Sequence, residues 1–476
     1  MRKSLKLFTA TLAGALLIIL LANGVLNQSK CSAMELKVPT VPIVLPDEWS
    51  VPALPIPKGN TYYVATNGND ANPGTITQPF ARLSKAVFLM KAGDVIYVRG
   101  GTYSNETTVI NLYKVGNEAA RYNIWAYPGE KPVFDLNYKS YFHIKGSYWY
   151  IKGLEIYHSN KNGMRIGDQQ APGGGTYNII ENCVFHDNRD AGLMIGLAKG
   201  TAVNTDGLRA AYNWIINCDS YLNFDPNGST GIGGNADGFA CKLNPGKGNV
   251  FDGCRSWENS DDGWDLYMAN FGVILQNCWT WHNGDPNSQY SDSYVGTWEG
   301  NGQGFKLGGG DAAKPNEFVS RGAHVLRNCI AFNTRYGKAS SKFRAFDRNN
   351  NMAGVTMINC LAFDSMVGFY FDKQPDNGTQ HILINCVAFG CAIKNNQLSG
   401  DTLQFNNNWN LAGTDAGRSD FTNLSETLAK APRSTDGSLP TGFARLVAGS
   451  GLIDRGANAG GKWRGLAPDL GAVESF

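Results

Sequence analysis

From Asn178 onward one phrase returns seven times: Ile180-Glu-Asn-Cys183, Ile215-Ile-Asn-Cys218, Phe251-Asp-Gly-Cys254, Leu275-Gln-Asn-Cys278, Leu326-Arg-Asn-Cys329, Met357-Ile-Asn-Cys360 and Leu383-Ile-Asn-Cys386. Its cysteines lie 35, 36, 24, 51, 31 and 26 residues apart. A core coil near 24 residues that accepts insertions of variable length on one side gives such a series, as in solenoids that carry loops on a stacked core. A second phrase accompanies the first: Asn162-Gly-Met-Arg, Asp237-Gly-Phe-Ala, Asp262-Gly-Trp-Asp, Gln303-Gly-Phe-Lys and Val367-Gly-Phe-Tyr. Most coils therefore carry two alignable strands. Asn precedes Cys in six of the seven copies, which predicts an amide ladder from coil to coil at that position. Seven cysteines at one repeat position should stack inside as small apolar thiols, since side chains that point one way suit the bent dihedral of a disulfide poorly. Cys31, Cys241 and Cys391 fall off this column, and no cysteine pair has the short spacing of a zinc site.

Ahead of the repeats, Thr61-Tyr-Tyr-Val reads as a strand and Asn67-Gly-Asn-Asp-Ala-Asn-Pro-Gly as turns. Phe80, Leu83, Val87 and Met90 then fall at helical spacing, and Asp94-Val-Ile-Tyr-Val returns to strand. One helix followed by strands alone resembles the opening of a right-handed parallel β-helix, where a short helix covers the unpaired end of the stack. The expected fold is all-β, a right-handed parallel β-helix with an N-terminal capping helix, over residues 60–476. Gly449-Ser-Gly-Leu-Ile-Asp-Arg-Gly and Pro468-Asp-Leu-Gly-Ala-Val-Glu resemble the closing segment of many extracellular β-helix proteins. Phe405-Asn-Asn-Asn-Trp-Asn is expected in peripheral loops and the stretch 424–431 in one short helix. Met1-Arg-Lys-Ser-Leu-Lys before an apolar run from Leu7 to Leu26 reads as a secretory leader over residues 1–33, with an uncleaved anchor as the alternative. Residues 34–59, rich in Pro and Val, read as an extended linker. A net charge of +2 gives no general field for nucleic acid or membrane. A secreted monomer, free of the membrane once its leader is removed, is expected.

Chemistry concentrates between Asn235 and Leu266. Asp237 precedes a Gly-Phe pair, and Asp261, Asp262 and Asp265 follow one repeat later. Aligned on the glycine of the second phrase, Asp237 and Asp262 lie one above the other, roughly 4.8 Å apart as stacked strands are. Asp265 and Lys306 share the register two places after it, and Phe239, Trp264 and Phe305 turn inward between them. Asp before Gly is also ordinary turn chemistry. Four such carboxylates on two neighbouring coils nevertheless repel without a cation, and an all-oxygen donor set suits calcium. Lys306 reads either as an ion-pair partner of Asp265 or as a base beside the metal.

Asp237, Asp261, Asp262 and Asp265 with the Gly-Phe-Lys306-Leu strand resemble the calcium ligands and catalytic lysine of the polysaccharide lyase family nine pectate lyases. The resemblance covers most of the chain after the leader, although Asp285-Pro-Asn-Ser-Gln-Tyr-Ser-Asp is inserted between Asp265 and Lys306. It implies calcium-assisted β-elimination of α-1,4-galacturonan with a lysine base, giving 4,5-unsaturated products. The partner would be an acidic polysaccharide, polygalacturonate. Arg335, Lys338, Lys342, Arg344 and Arg348 on later coils are candidate uronate partners, or a solvated face. Two other readings stay open: a metal-independent galacturonan hydrolase working through paired carboxylates, and a non-catalytic polysaccharide-binding β-helix. No Gly-His-Gly segment of the kind found in polygalacturonases is present, and in a hydrolase Lys306 would have no task.

Overall fold

Each coil lays down three short strands, one more than the two phrases predict. The computed structural model describes residues 54–475 apart from 168–173, 198–203, 229, 287–296, 315–316, 339–342 and 377. The leader and most of the linker fall outside this range, as does Lys342. The strands stack into three parallel sheets. The first, twelve-stranded, runs from Thr61–Val64 to Leu403–Phe405 and carries the Asn-Cys phrase at its exit. The second runs from Gly101–Tyr103 to Val387–Phe389 and the third from Ile110–Leu112 to Lys394–Leu398, each ten-stranded. Leu275 pairs with Phe251 below and Leu326 above, so the phrases align residue for residue. The N-terminal helix spans Leu83–Leu89 and packs on Thr61–Val64 and Ile110–Leu112, with Phe80 and Met90 buried just beyond its ends. It lies against the first coil, as a cap must.

The asparagine before each cysteine has a different reason from the one its recurrence suggests. Asn182, Asn217, Asn277, Asn328, Asn359 and Asn385 all hold φ between 51° and 55°, and the seventh copy puts Gly253 there at φ 66°. The corner between the first two sheets needs a left-handed residue, which Asn and Gly tolerate best. Side-chain pairs do form at this corner, as from Asn328 Nδ2 to Asn277 Oδ1 at 3.1 Å. Longer amide ladders run elsewhere: Asn178, Asn213 and Asn249 bond in series at 3.0 and 2.9 Å. Asn188, Asn223, Asn259 and Asn283 do so on the opposite corner, at 2.8–3.0 Å. Each amide bonds along the stack and satisfies a buried polar group that the corner would otherwise strand. The seven column cysteines are free thiols, fully buried.

Three residues after every column cysteine stands an aromatic ring: His186, Tyr221, Trp257, Trp281, Phe332, Phe363 and Phe389. They stack face to face on the outside of the second sheet, with centroids 4.5–5.5 Å apart. Burying such rings is worth about 1.5–3 kcal/mol each. The C-terminal segment returns to cover them with Phe421, Leu424, Phe443 and Leu446, making a second core outside the solenoid. Within it the short helix is Glu426–Ala429, and Phe405 closes the last strand of the first sheet rather than entering a loop.

His282 ties this cover down, with Nε2 2.8 Å from Asp285 Oδ2 and Nδ1 3.5 Å from Glu426 Oε2. Burial disfavours its charge, but the two carboxylates prevail and hold the imidazole up at about 9. A histidine raised above its ordinary value of about 6.5 contributes its full stabilisation below that pH and loses it as pH rises through about 9. Urea midpoints of the wild type are expected to fall more steeply between these limits than those of His282→Gln. Parallel curves would show that the clasp does not titrate.

Candidate active site

The third sheet positions the acidic residues. Phe239, Trp264 and Phe305 are in register and fully buried, stacked at 5.0 and 4.9 Å, so the residues beside them face outward. Asp265 pairs directly with Lys306. The glycine before each ring permits a close approach: a Cβ on Gly238 would meet Ser256 Oγ at 1.9 Å, and one on Gly263 would meet Thr280 Oγ1 at 2.0 Å. That contact brings the chain sharply round the corner and sets Asp237 and Asp262 at the entry of the sheet.

Backbone amides then fix one oxygen of each carboxylate. Asp237 Oδ1 accepts from Asp262 N at 3.3 Å, Asp262 Oδ1 from Gln303 N at 2.8 Å and Asp265 Oδ1 from Tyr267 N at 3.0 Å. The other oxygens face two lysines. Lys306 Nζ lies 2.8 Å from Asp262 Oδ2 and 3.5 Å from Asp265 Oδ2. Lys242 Nζ lies 2.5 Å from Asp237 Oδ2 and 3.1 Å from Asp265 Oδ2. One oxygen from each of Asp237, Asp262 and Asp265 falls within 4.8 Å of the others. Asp261 stands beside this set, buried, with Oδ1 on Asn301 N at 2.7 Å.

The electrostatics are those of a site short of positive charge. Burial pushes the carboxyls of Asp237 and Asp261 well above the usual range, and neighbouring carboxylates add to it. Asp262 is raised too, by burial first. Burial also acts upward on Asp265, but Lys306 and Lys242 together bring it below its usual value. Burial alone would strip both ammoniums of their protons; the surrounding aspartates instead hold Lys306 and Lys242 well above the ordinary lysine range. Four carboxylates against two ammoniums leave two negative charges, which one divalent cation neutralises. Convergent, backbone-oriented carboxylate oxygens are donors that fit calcium.

Lys242 is the residue that the repeat alignment misses. It lies four places after Gly238, in a register where the next coils carry Tyr267 and Gly308, so no recurring residue type marks it. Clefts open on both sides of the cluster. One, of about 730 Å³, is lined by Lys306, Tyr267, Gln303, Lys314, Arg348 and Lys373. The other, of about 430 Å³, is lined by Lys242, Arg189, Asp190, Asp225 and Asn235. Of the described members of the later basic run, Arg348 lines the first cleft beside Lys306, with Nε 2.9 Å from Asp372. Arg344 bonds Asp347 at 2.7 Å and lies over the Tyr370 ring, 3.3 Å from its centroid. Arg335 bonds the Asp364 carbonyl and Lys338 pairs with Glu299, so neither is directed at the acidic cluster.

Comparison with known proteins identifies the family of the chain. The region described as "Pel9A-like, right handed beta helix region" matches residues 62–377. Pectate lyase L of Dickeya dadantii (strain 3937) is 36% identical over 430 residues, covering 87% of this chain and 90% of that protein. Among solved structures, pectate lyase Pel9A superposes with a TM-score of 0.72 at 33% identity, covering 88% of this chain and 97% of that one. A rhamnogalacturonan lyase follows with a TM-score of 0.66 at 27% identity, covering 82% and 97%. On the extent of these matches, the chain belongs to the Pel9A-like right-handed β-helix family, the group in which these pectate lyases fall.

Proposed function

We propose that the protein is a secreted pectate lyase that cleaves α-1,4-galacturonan by β-elimination, with calcium on Asp237, Asp261, Asp262 and Asp265 and with Lys306 as the base. The observation that carries this reading is Lys306 Nζ seated on the same converging oxygens that a divalent cation would claim. The names of the relatives support the substrate, and the leader-like N-terminus supports export.

Bound calcium supplies positive charge that neutralises the aspartates and polarises the substrate's uronate. The protein's own residues do the rest. Arg348, Lys314 and Lys373 line the cleft beyond Lys306 and offer cations to the uronates of neighbouring sugar units. Tyr267, whose ring centre is 5.9 Å from Lys306 Nζ, forms one wall beside the reacting unit. With its aspartate partners engaged elsewhere, Lys306 loses the anions that hold its proton and burial takes over, lowering its affinity for that proton. Neutral Nζ then removes the proton on C5. The C–H electron pair becomes the C4–C5 double bond, and the C4–O pair leaves with the glycosidic oxygen, which takes a proton from solvent.

Incubation with polygalacturonate is expected to raise ultraviolet absorbance in step with new reducing ends, because each elimination leaves a conjugated double bond. Reducing ends without absorbance would replace the lyase with a hydrolase. Neither signal would leave a binding module.

A further inference from the structure

Gln303 occupies the rung above Asp262 in the column that begins with Asp237, and its side chain is fully buried. Its Nε2 donates to Asp347 Oδ2 on the following coil. Asp347 is itself fixed, taking Arg344 Nη1 on Oδ2 and Asn349 N on Oδ1, each at 2.7 Å. This carboxylate is an acceptor only, so it settles which end of the amide faces it. Gln303 Oε1 is buried and, among the described residues, has no hydrogen-bond partner. Leaving a buried carbonyl oxygen without a partner costs about 1–3 kcal/mol, so an arriving donor would be stabilised there. Held by its nitrogen to Asp347 on the following coil, the amide keeps its oxygen off that carboxylate. Gln303 and Lys306 line the same cleft.

We propose that Gln303 is the positioning residue for Lys306: when a cation takes Asp262 Oδ2, the released Nζ donates a hydrogen bond to Gln303 Oε1. The inference rests on the reading of calcium and Lys306 given above. It assigns a use to the Arg344–Asp347 pair as well, which holds the amide in the orientation that receives the lysine. One N–H on the amide oxygen leaves the nitrogen's remaining valences free to turn toward the cleft.

Calcium titrations by calorimetry on four proteins test it: wild type, Gln303→Met, Lys306→Met and the double variant. With Lys306 present, Gln303→Met is expected to weaken calcium binding roughly tenfold, because the displaced ammonium loses its acceptor. With Lys306→Met as background, the same change is expected to leave calcium affinity within about twofold. Asp347→Asn, which frees the amide to turn, is expected to reproduce the first effect and to lower kcat with KM little changed. Equal weakening in both backgrounds would make Gln303 a ligand of the cation and overturn the proposal. So would no weakening in either. Wild type that binds no calcium would remove the underlying reading and this inference together, whereas calcium binding without coupling removes this inference alone.

Discussion

Lys306→Arg is expected to turn over polygalacturonate on the order of 10²–10⁴-fold more slowly than wild type, the usual cost of removing a general base. Lys306 is 8% exposed and ion-paired to Asp262 at 2.8 Å, so a purely structural role is the serious rival. The two roles separate on this substitution. Arginine keeps the positive charge and the pairing, but its guanidinium stays protonated at any pH where the fold survives, so it has no lone pair for the C5 proton. A structural lysine would therefore be replaced nearly without loss. Lys306→Ala should be as inactive as the arginine variant while still binding calcium. The size of guanidinium in a buried site makes a melting curve a necessary companion. A folded arginine variant within a few-fold of wild-type kcat would dismiss Lys306 as the base.

How much of this is legible in the sequence depends on whether a feature recurs. The Asn-Cys phrase and the Gly-aromatic phrase repeat, and both map onto strands in register. The second sheet was equally periodic, through the aromatic residue three places after each cysteine, but its outward rings are covered by a segment from the C-terminus, and a strand covered on both faces shows no polar alternation to mark it. Among the rungs of the third sheet that passed unread, Leu193 stands where most copies carry an aromatic ring and Ala345 where the glycine is expected. Asp237, Asp262, Asp265 and Lys306 came together because each occupies a repeat register. Lys242 did not, since a side chain used on one coil alone leaves no period. The basic run from Arg335 to Arg348 shows the converse: of its described members Arg348 lines the cleft beside Lys306, whereas Arg335 and Lys338 bond the Asp364 carbonyl and Glu299.

Stripping divalent ions with a chelator is expected to lower activity on the order of 10³-fold, and added calcium should restore it. Lewis-acid stabilisation of a developing charge is worth several kcal/mol, and each 1.4 kcal/mol or so is a factor of ten. The structure adds a second reason for a loss of this size. Without the cation, Asp262 and Asp265 hold Lys306 well above the ordinary lysine range, so the base is blocked by the same carboxylates that should bind the metal. Magnesium is expected to be a poor substitute, because its small octahedral shell parts reluctantly with water whereas these oxygens are spread over three side chains. Asp262→Asn isolates the effect: it removes one ligand charge, and it should raise the calcium needed for half-maximal activity on the order of 100-fold, because ligand charge sets affinity over decades. The same variant also removes the anion that Lys306 faces, so its kcat at saturating calcium should fall much less than that of Lys306→Ala. Binding of calcium also stabilises the folded chain by mass action, about 2.7 kcal/mol at a hundredfold excess over Kd, so melting curves with and without the ion report occupancy independently of turnover. Full activity after exhaustive chelation, with no calcium-dependent change in melting, would exclude the cation from both catalysis and structure.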